Sequence, residues 1–164
     1  MDQEEIFKVI KKFDKELPKF SDGRIDYSKS NAAPVMTVFV KYKTKILLLK
    51  RSEKVGTYQS KWNTVAGYLD ELKPIKKKIL EELKEELGIK QNKIRSIHFG
   101  KAYNSVDRKI NKTWLIHPVL VELKEKPKIK LNWEHTEYQW LKPKETEKFD
   151  TVPKFDKSLK NAFL

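Results

Sequence analysis

Cysteine is absent from the 164 residues, which removes disulfides, thiolate nucleophiles and Cys-ligated zinc in one step. Any bound metal ion must therefore take oxygen or imidazole ligands. Long apolar runs are missing as well: Ile46-Leu47-Leu48-Leu49 is typical of the apolar blocks, far below the roughly 20 residues that a membrane span requires. The opening residues MDQEE have neither the basic start nor the apolar block of a secretory signal. These absences predict a cytoplasmic protein without a membrane partner.

Acidic residues are outnumbered, 23 against 36 Lys and Arg, for a formal net charge of +13. Such a balance attracts polyanions, so nucleic acid, anionic lipid and phosphorylated metabolites are the partner classes it admits. Scattered runs such as Lys76-Lys77-Lys78 read first as solvated surface. The length suits one compact domain with a continuous core. Oligomeric state is not encoded in any pattern here.

Apolar residues Ile6, Val9, Ile10, Phe13 and Leu17 recur at helical spacing, and Pro18 follows, so 3–17 is predicted to form an amphipathic helix. Segments 33–42 and 45–50 are β-branched or apolar and predict a hairpin turning at Lys43-Thr44. A strand is expected over 62–69, then a helix with Pro74 in its first turn, ending at Leu87 with Gly88 as the left-handed residue beyond it. Strands are expected over 94–103 and 113–123 around a polar segment 104–111, a short one over 138–141, and a closing helix after Pro153. Helices before, between and after strands predict an α/β class in which a sheet is covered on both faces.

The chemistry is concentrated in GYLDELKPIKKKILEELKEELGI, residues 67–89. Glu82, Glu85 and Glu86 stand at i, i+3 and i+4, so a helix gathers three carboxylates on one face, beside an apolar stripe of Ile79, Leu80, Leu83 and Leu87. Like charges at that spacing repel, and a hard cation such as Mg²⁺ or Mn²⁺ would relieve the repulsion. A solvated acidic face paired with lysines, Glu81 with Lys77 for example, is the plainer alternative.

The stretch resembles the Nudix box, G-x5-E-x7-R-E-U-x-E-E-x-G-U with U apolar, through Gly67, Glu82, Leu83, Glu85, Glu86, Gly88 and Ile89. The segment LLLKRSEKVGTYQSKWNTVAGYLDE is similar to the strand, loop and strand that precede the box, and LNWEHTEYQWLKPKE to the later segment that closes the site. The resemblance spans about 33–145, with 1–32 as a helical lead-in and 146–164 as a C-terminal extension of one 1–164 domain. It implies an α/β/α sandwich with a mixed sheet between helices, and hydrolysis of a diphosphate bond in a nucleoside diphosphate-linked substrate with Mg²⁺, or Mn²⁺ in its place. It further implies that Glu82, Glu85 and Glu86 ligate the metal, joined by the backbone carbonyl of Ala66.

Two positions depart from the pattern with opposite sign: Lys73 replaces the first Glu, and Glu81 replaces the Arg that helps to orient the metal-binding glutamates in the family. A charge-reversed Lys73–Glu81 ion pair would preserve an acid–base contact. Loss of the Arg suits an alternative, a non-catalytic Nudix-like module that binds nucleotide or RNA, which the intact glutamate triad opposes. The isopentenyl diphosphate isomerases share the fold, but the catalytic cysteine they use has no counterpart here.

Further candidates lie outside the box. Arg51 is either a bidentate phosphate ligand or a surface residue. Glu134 and Glu137 are rival carboxylates in the closing segment, and Glu86, Glu134 and Glu85 are the candidate general bases. His135 reads as a loop anchor more readily than as a proton acceptor. Trp62, Trp133 and Trp140 are expected to pack, while Trp114 and Tyr103 flank the 104–111 segment, where each either stacks on a base or belongs to the core.

Overall fold

The computed structural model describes residues 2–164. Helix α1 covers Gln3–Glu16, opened by a capping box between Asp2 and Glu5 and closed ahead of Pro18. Strands β1 (Ala32–Tyr42) and β2 (Lys45–Arg51) form the expected hairpin, with Lys43 taking a positive φ of 52° in its turn. Then come β3 (Trp62–Asn63), β4 (Val65–Tyr68), α2 (Ile75–Leu87), β5 (Ile94–Phe99), β6 (Tyr103–Asp107), β7 (Lys112–Leu123), β8 (His135–Leu141) and α3 (Phe155–Ala162).

The sheet is mixed. β1 and β7 run parallel in unbroken register from Ala32 opposite Thr113 to Lys41 opposite Glu122, and the remaining strand pairs are antiparallel. The alternation of side chains along each strand divides the interior in two. Met36, Val38 and Val40 of β1 with Leu47 and Leu49 of β2 face α1 and α2, whereas Phe39, Ile46 and Leu48 face Phe155, Leu159 and Ala162 of α3. This is the predicted α/β/α arrangement, and no helix among the described residues is long and apolar enough to cross a membrane.

Two expected strands are each divided. Segment 62–69 breaks at Thr64, which is buried and whose hydroxyl donates to the Val38 carbonyl; β3 then pairs with β2 while β4 pairs with β1. Segment 94–103 breaks at Gly100 and Lys101, whose N–H groups donate to Pro118 and to Asn161 of α3. Strand β6 occupies half of what reads as a polar loop, because its alternate positions Asn104 and Val106 face solvent and only one side of it is partly covered. Trp62 packs as expected, edge-on to Phe149 at 5.1 Å, and Trp140 lies against the core, but Trp133 is 60% exposed and packs little.

Gly100 allows α3 to seat against the sheet. A Cβ at that position would lie 2.2 Å from the Asn161 carbonyl oxygen and 2.7 Å from the Ala162 Cα, both backbone atoms that cannot swing aside. Gly100→Ala is expected to destabilise the fold by about 1–3 kcal/mol through overpacking, read from the midpoint of urea unfolding. An unchanged midpoint would show that α3 can shift at no cost.

Candidate active site

Helix α2 follows Pro74 and ends at Gly88, whose φ of 70° lets its N–H donate to the Lys84 carbonyl. Ile79, Leu83 and Leu87 dock it fully buried on the sheet. This rotation gives the three box glutamates different surroundings. Glu85 is exposed. Glu82 lies against Gly67, where an added Cβ would come within 3.3 Å of Glu82 Oε1. Glu86 is only 1% exposed, and neither of its carboxylate oxygens has a hydrogen-bond partner.

Burial, then the negative charges of Glu134 and Glu82, push the Glu86 carboxyl well above the usual carboxylate range, against a smaller opposing effect of Arg51. The Glu134 carboxyl is raised by burial and by Glu82. Its backbone is fixed from both sides: its N–H donates to the Asn132 side chain, and its carbonyl accepts from Ser52 N–H at 2.8 Å. Asn132 N–H donates in turn to the Glu86 carbonyl. Glu137 points elsewhere and pairs with Lys50 at 2.9 Å. Of the two rivals, Glu134 is therefore the one beside the glutamates.

Arg51 ends β2 opposite His135, next to a register shift. Its Nε and Nη2 donate to the Thr57 carbonyl at 3.1 and 2.9 Å, and burial lowers its pKa while Glu134 and Glu86 oppose that effect. The guanidinium thus borders the acidic group with donors left over. His135 is buried with Nδ1 3.7 Å from Glu86 Oε2, and burial, helped by Arg51, lowers its pKa to about 4. Burial thus disfavours a charged ring, and its Nδ1 makes no hydrogen bond.

The aromatic candidates separate. Trp114 is partly buried, its ring 6.0 Å from that of Tyr68, which stacks on Tyr27 at 5.6 Å. Tyr68 in turn lies near Arg51. Tyr103 instead turns to α3, sharing a hydrogen bond with the Ser158 hydroxyl at 2.6 Å beneath the Lys157 ammonium. Ala66 pairs with Thr37 in the sheet, immediately before the glycine that abuts Glu82. A cavity of about 620 Å³ lined by Lys76, Leu80, Arg95 and Lys124 lies apart from these groups.

The two departures from the box meet. Lys73 Nζ is 2.7 Å from Glu81 Oε2 and 3.0 Å from Glu71, so Glu81 pairs with Lys73 rather than with Lys77. A second lysine escapes sequence reading: Lys78, 12% exposed in its side chain, contacts Glu82, Asp70 and Glu71. Burial alone would lower its pKa, but Glu82 and Asp70 outweigh it and raise the value. The i,i+4 spacing to Glu82 was the available signal; the buried Asp70 that completes the contact had none.

Among the described residues, no three His, Asp or Glu side chains already converge as a ligand shell. The donor chemistry nevertheless fits a hard divalent cation: two orphaned, buried oxygens on Glu86 lie among further carboxylates, where charge without a partner is costly. Glu82 and Glu134 border Glu86, and Glu85 would join them only by turning in from solvent.

Two measurements check this geometry. A double-mutant cycle on Lys73→Ala and Glu81→Ala is expected to show coupling of about 0.5–1 kcal/mol; additive effects would mean that the ion pair contributes nothing. For Glu86, a folded-state pKa above the unfolded value of about 4.3 means that stability is lost as pH rises through and beyond that value. In EDTA at pH 8, Glu86→Gln is expected to be more stable than wild type by roughly 1–3 kcal/mol, and the gain should vanish below about pH 4.3. Thermal unfolding at the two pH values reads the difference, and a less stable variant at pH 8 would contradict the assignment.

Comparison with known proteins agrees with this fold. The family model for the NUDIX domain matches residues 31–163, so the match includes α3 as well as the stretch that resembles the family in sequence. Among solved structures, a Caenorhabditis elegans Ap4A hydrolase in a binary complex superposes with a TM-score of 0.65 at 18% identity, covering 79% of this chain and 93% of that one. A MutT protein from Methanosarcina mazei gives 0.65 at 20%, covering 80% and 93%. The NUDIX domain of Shewanella oneidensis NrtR, complexed with ADP ribose, gives 0.63 at 10%, covering 81% and 89%. No curated protein matches the chain in sequence. With the family model spanning most of the chain and the glutamate helix folded against the sheet, the protein belongs to the NUDIX domain family.

Proposed function

We propose that the protein is a Mg²⁺-dependent hydrolase, Mn²⁺ serving as an alternative, that cleaves a diphosphate bond in a nucleoside diphosphate-linked substrate. The observation that carries this reading is Glu86: a buried carboxylate with two unpartnered oxygens, bordered by Glu82 and Glu134 and faced by Arg51. Glu82, Glu85 and Glu86, with the Ala66 carbonyl, would hold the cation, which when bound supplies charge neutralisation of the diphosphate and an activated water. The structural relatives, an Ap4A hydrolase and a NUDIX domain complexed with ADP ribose, are consistent with that substrate class.

Arg51 is assigned to the phosphate oxygens, its position set by the Thr57 carbonyl so that little freedom is lost on binding. Glu134 is assigned the water's proton, with Glu86 and Glu85 as alternatives, because it borders Glu86 while remaining partly exposed, where a water can reach it. Trp114 and Tyr68 offer π-faces near Arg51 on which a base can stack. Tyr103, committed to α3, is not part of this arrangement. The net charge of +13 draws anionic substrates, and RNA remains within its reach.

The test is release of phosphate and nucleotide products from a panel of nucleoside diphosphate compounds with Mg²⁺ or Mn²⁺. Cleavage by wild type should stop with EDTA and with Glu86→Gln, and Glu134→Gln should lower kcat by about 10²–10⁴-fold if it is the base. The second reading, a module that binds without cutting, draws on the Lys78–Glu82 contact, which already satisfies one box glutamate. Binding of nucleotide with no cleavage of any compound would favour it, and a steep fall of affinity with salt would point to RNA over a small nucleotide.

A further inference from the structure

Lys78 stands one helical turn before Glu82, so both side chains lie on the same face of α2. Its ammonium is 3.0 Å from Glu82 Oε1, 3.2 Å from Asp70 Oδ1 and 3.3 Å from Glu71 Oε2. Three carboxylates match the three donors of an ammonium group. Asp70, itself buried, is further braced by Arg24 at 3.8 Å, and Arg24 by Asp22 at 2.8 Å. A ladder of alternating charge thus runs from the segment after α1 to Glu82. Lys73 and Glu81 form a separate and more exposed pair, joined to the ladder through Glu71.

Glu82 is confined between Lys78 and Gly67, with Oε1 in contact with the first and next to the second. Glu86 stands one turn further along the same face of α2, so the Glu82 carboxylate held there lies on the Glu86 side of the site. Glu81 occupies the box position of the Arg and is turned to Lys73, so it cannot hold Glu82 there.

We propose that Lys78 is a positioning residue of the acidic site: its ammonium, braced by Asp70, holds Glu82 against Gly67 and presents that carboxylate beside Glu86 for a divalent cation. The proposal rests on Glu82 being a metal ligand, as the proposed function has it. It also reverses a simple expectation from charge. A lysine beside a cation site repels the cation, so removing it should tighten metal binding; if its main effect is to position Glu82, removing it weakens binding.

The experiment titrates the protein with Mn²⁺ and follows free Mn²⁺ by electron paramagnetic resonance. Lys78→Met is expected to weaken Mn²⁺ about 10–100-fold, the usual effect of losing a partner that orients a metal ligand. Lys78→Arg, which keeps charge and donors, should recover most of that affinity, and Lys73→Met should leave it unchanged. If Lys78→Met fails to fold because Asp70 is left buried with only Arg24 at 3.8 Å beside it, the double variant Lys78→Met with Asp70→Asn leaves no such charge and should show the same loss. Binding by folded Lys78→Met, or by that double variant, as tight as wild type or tighter overturns the proposal. Wild type that binds Mn²⁺ but hydrolyses no diphosphate would sink the hydrolase reading and leave the Lys78 comparison intact. Wild type that binds no Mn²⁺ overturns both, since Glu82 then has no cation to receive.

Discussion

Helix α2 is docked by Ile79, Leu83 and Leu87, all fully buried, and Glu86 is the residue immediately before the last of them. With the helix rotation set by those three contacts, the Glu86 side chain is left only 1% exposed. An ionisable group in that position must be neutral, paired or ligated, and the surrounding side chains supply acids, a guanidinium already donating to a carbonyl, and a neutral imidazole. The apolar face of the helix thus creates the electrostatic problem that its acidic face would resolve by taking a cation.

The sheet brings the other participants to the same place. The parallel β1–β7 ladder forms the centre, and β2 hangs on it with β8 alongside, so that Arg51 and His135 fall opposite one another although 84 residues apart in sequence. Backbone hydrogen bonds then stitch three distant segments together: Ser52 to Glu134, Asn132 to Glu86, and Lys130 to Leu87. Because these contacts use backbone groups, they place Glu134 over α2 largely irrespective of side-chain identity at neighbouring positions.

The altered box reads as a redistribution of charge. Lys73 and Glu81 exchange signs and still pair, while Lys78, half-buried and in contact with three carboxylates, becomes the cation beside a box glutamate. Surface ion pairs of the first kind contribute little. A half-buried ammonium beside the buried Asp70 is different, because removing it leaves that carboxylate out of water with its main partner gone. Departure from the box at two positions is thus compatible with an ordered acidic face, because the Lys78 ammonium reaches Glu82 from another direction.

Local pattern was enough to determine α1, α2, the β1–β2 hairpin, the C-terminal helix, the two-layer covering of the sheet and the shared face of Glu82, Glu85 and Glu86, because period and capping depend on near neighbours in sequence. It also supplied the opposite charges at 73 and 81. Tertiary structure alone decided that β6 exists, since its half-exposed polar strand carries no apolar alternation, and that segment 62–69 splits where Thr64 bonds across to Val38. It separated Glu134 from Glu137 and Trp114 from Tyr103, pairs whose members look alike in sequence but face different partners. It made Glu86 buried and Glu85 exposed, one residue apart, and it paired Lys78 with Asp70. Burial and long-range contact are properties of packing, and no local spacing carries them.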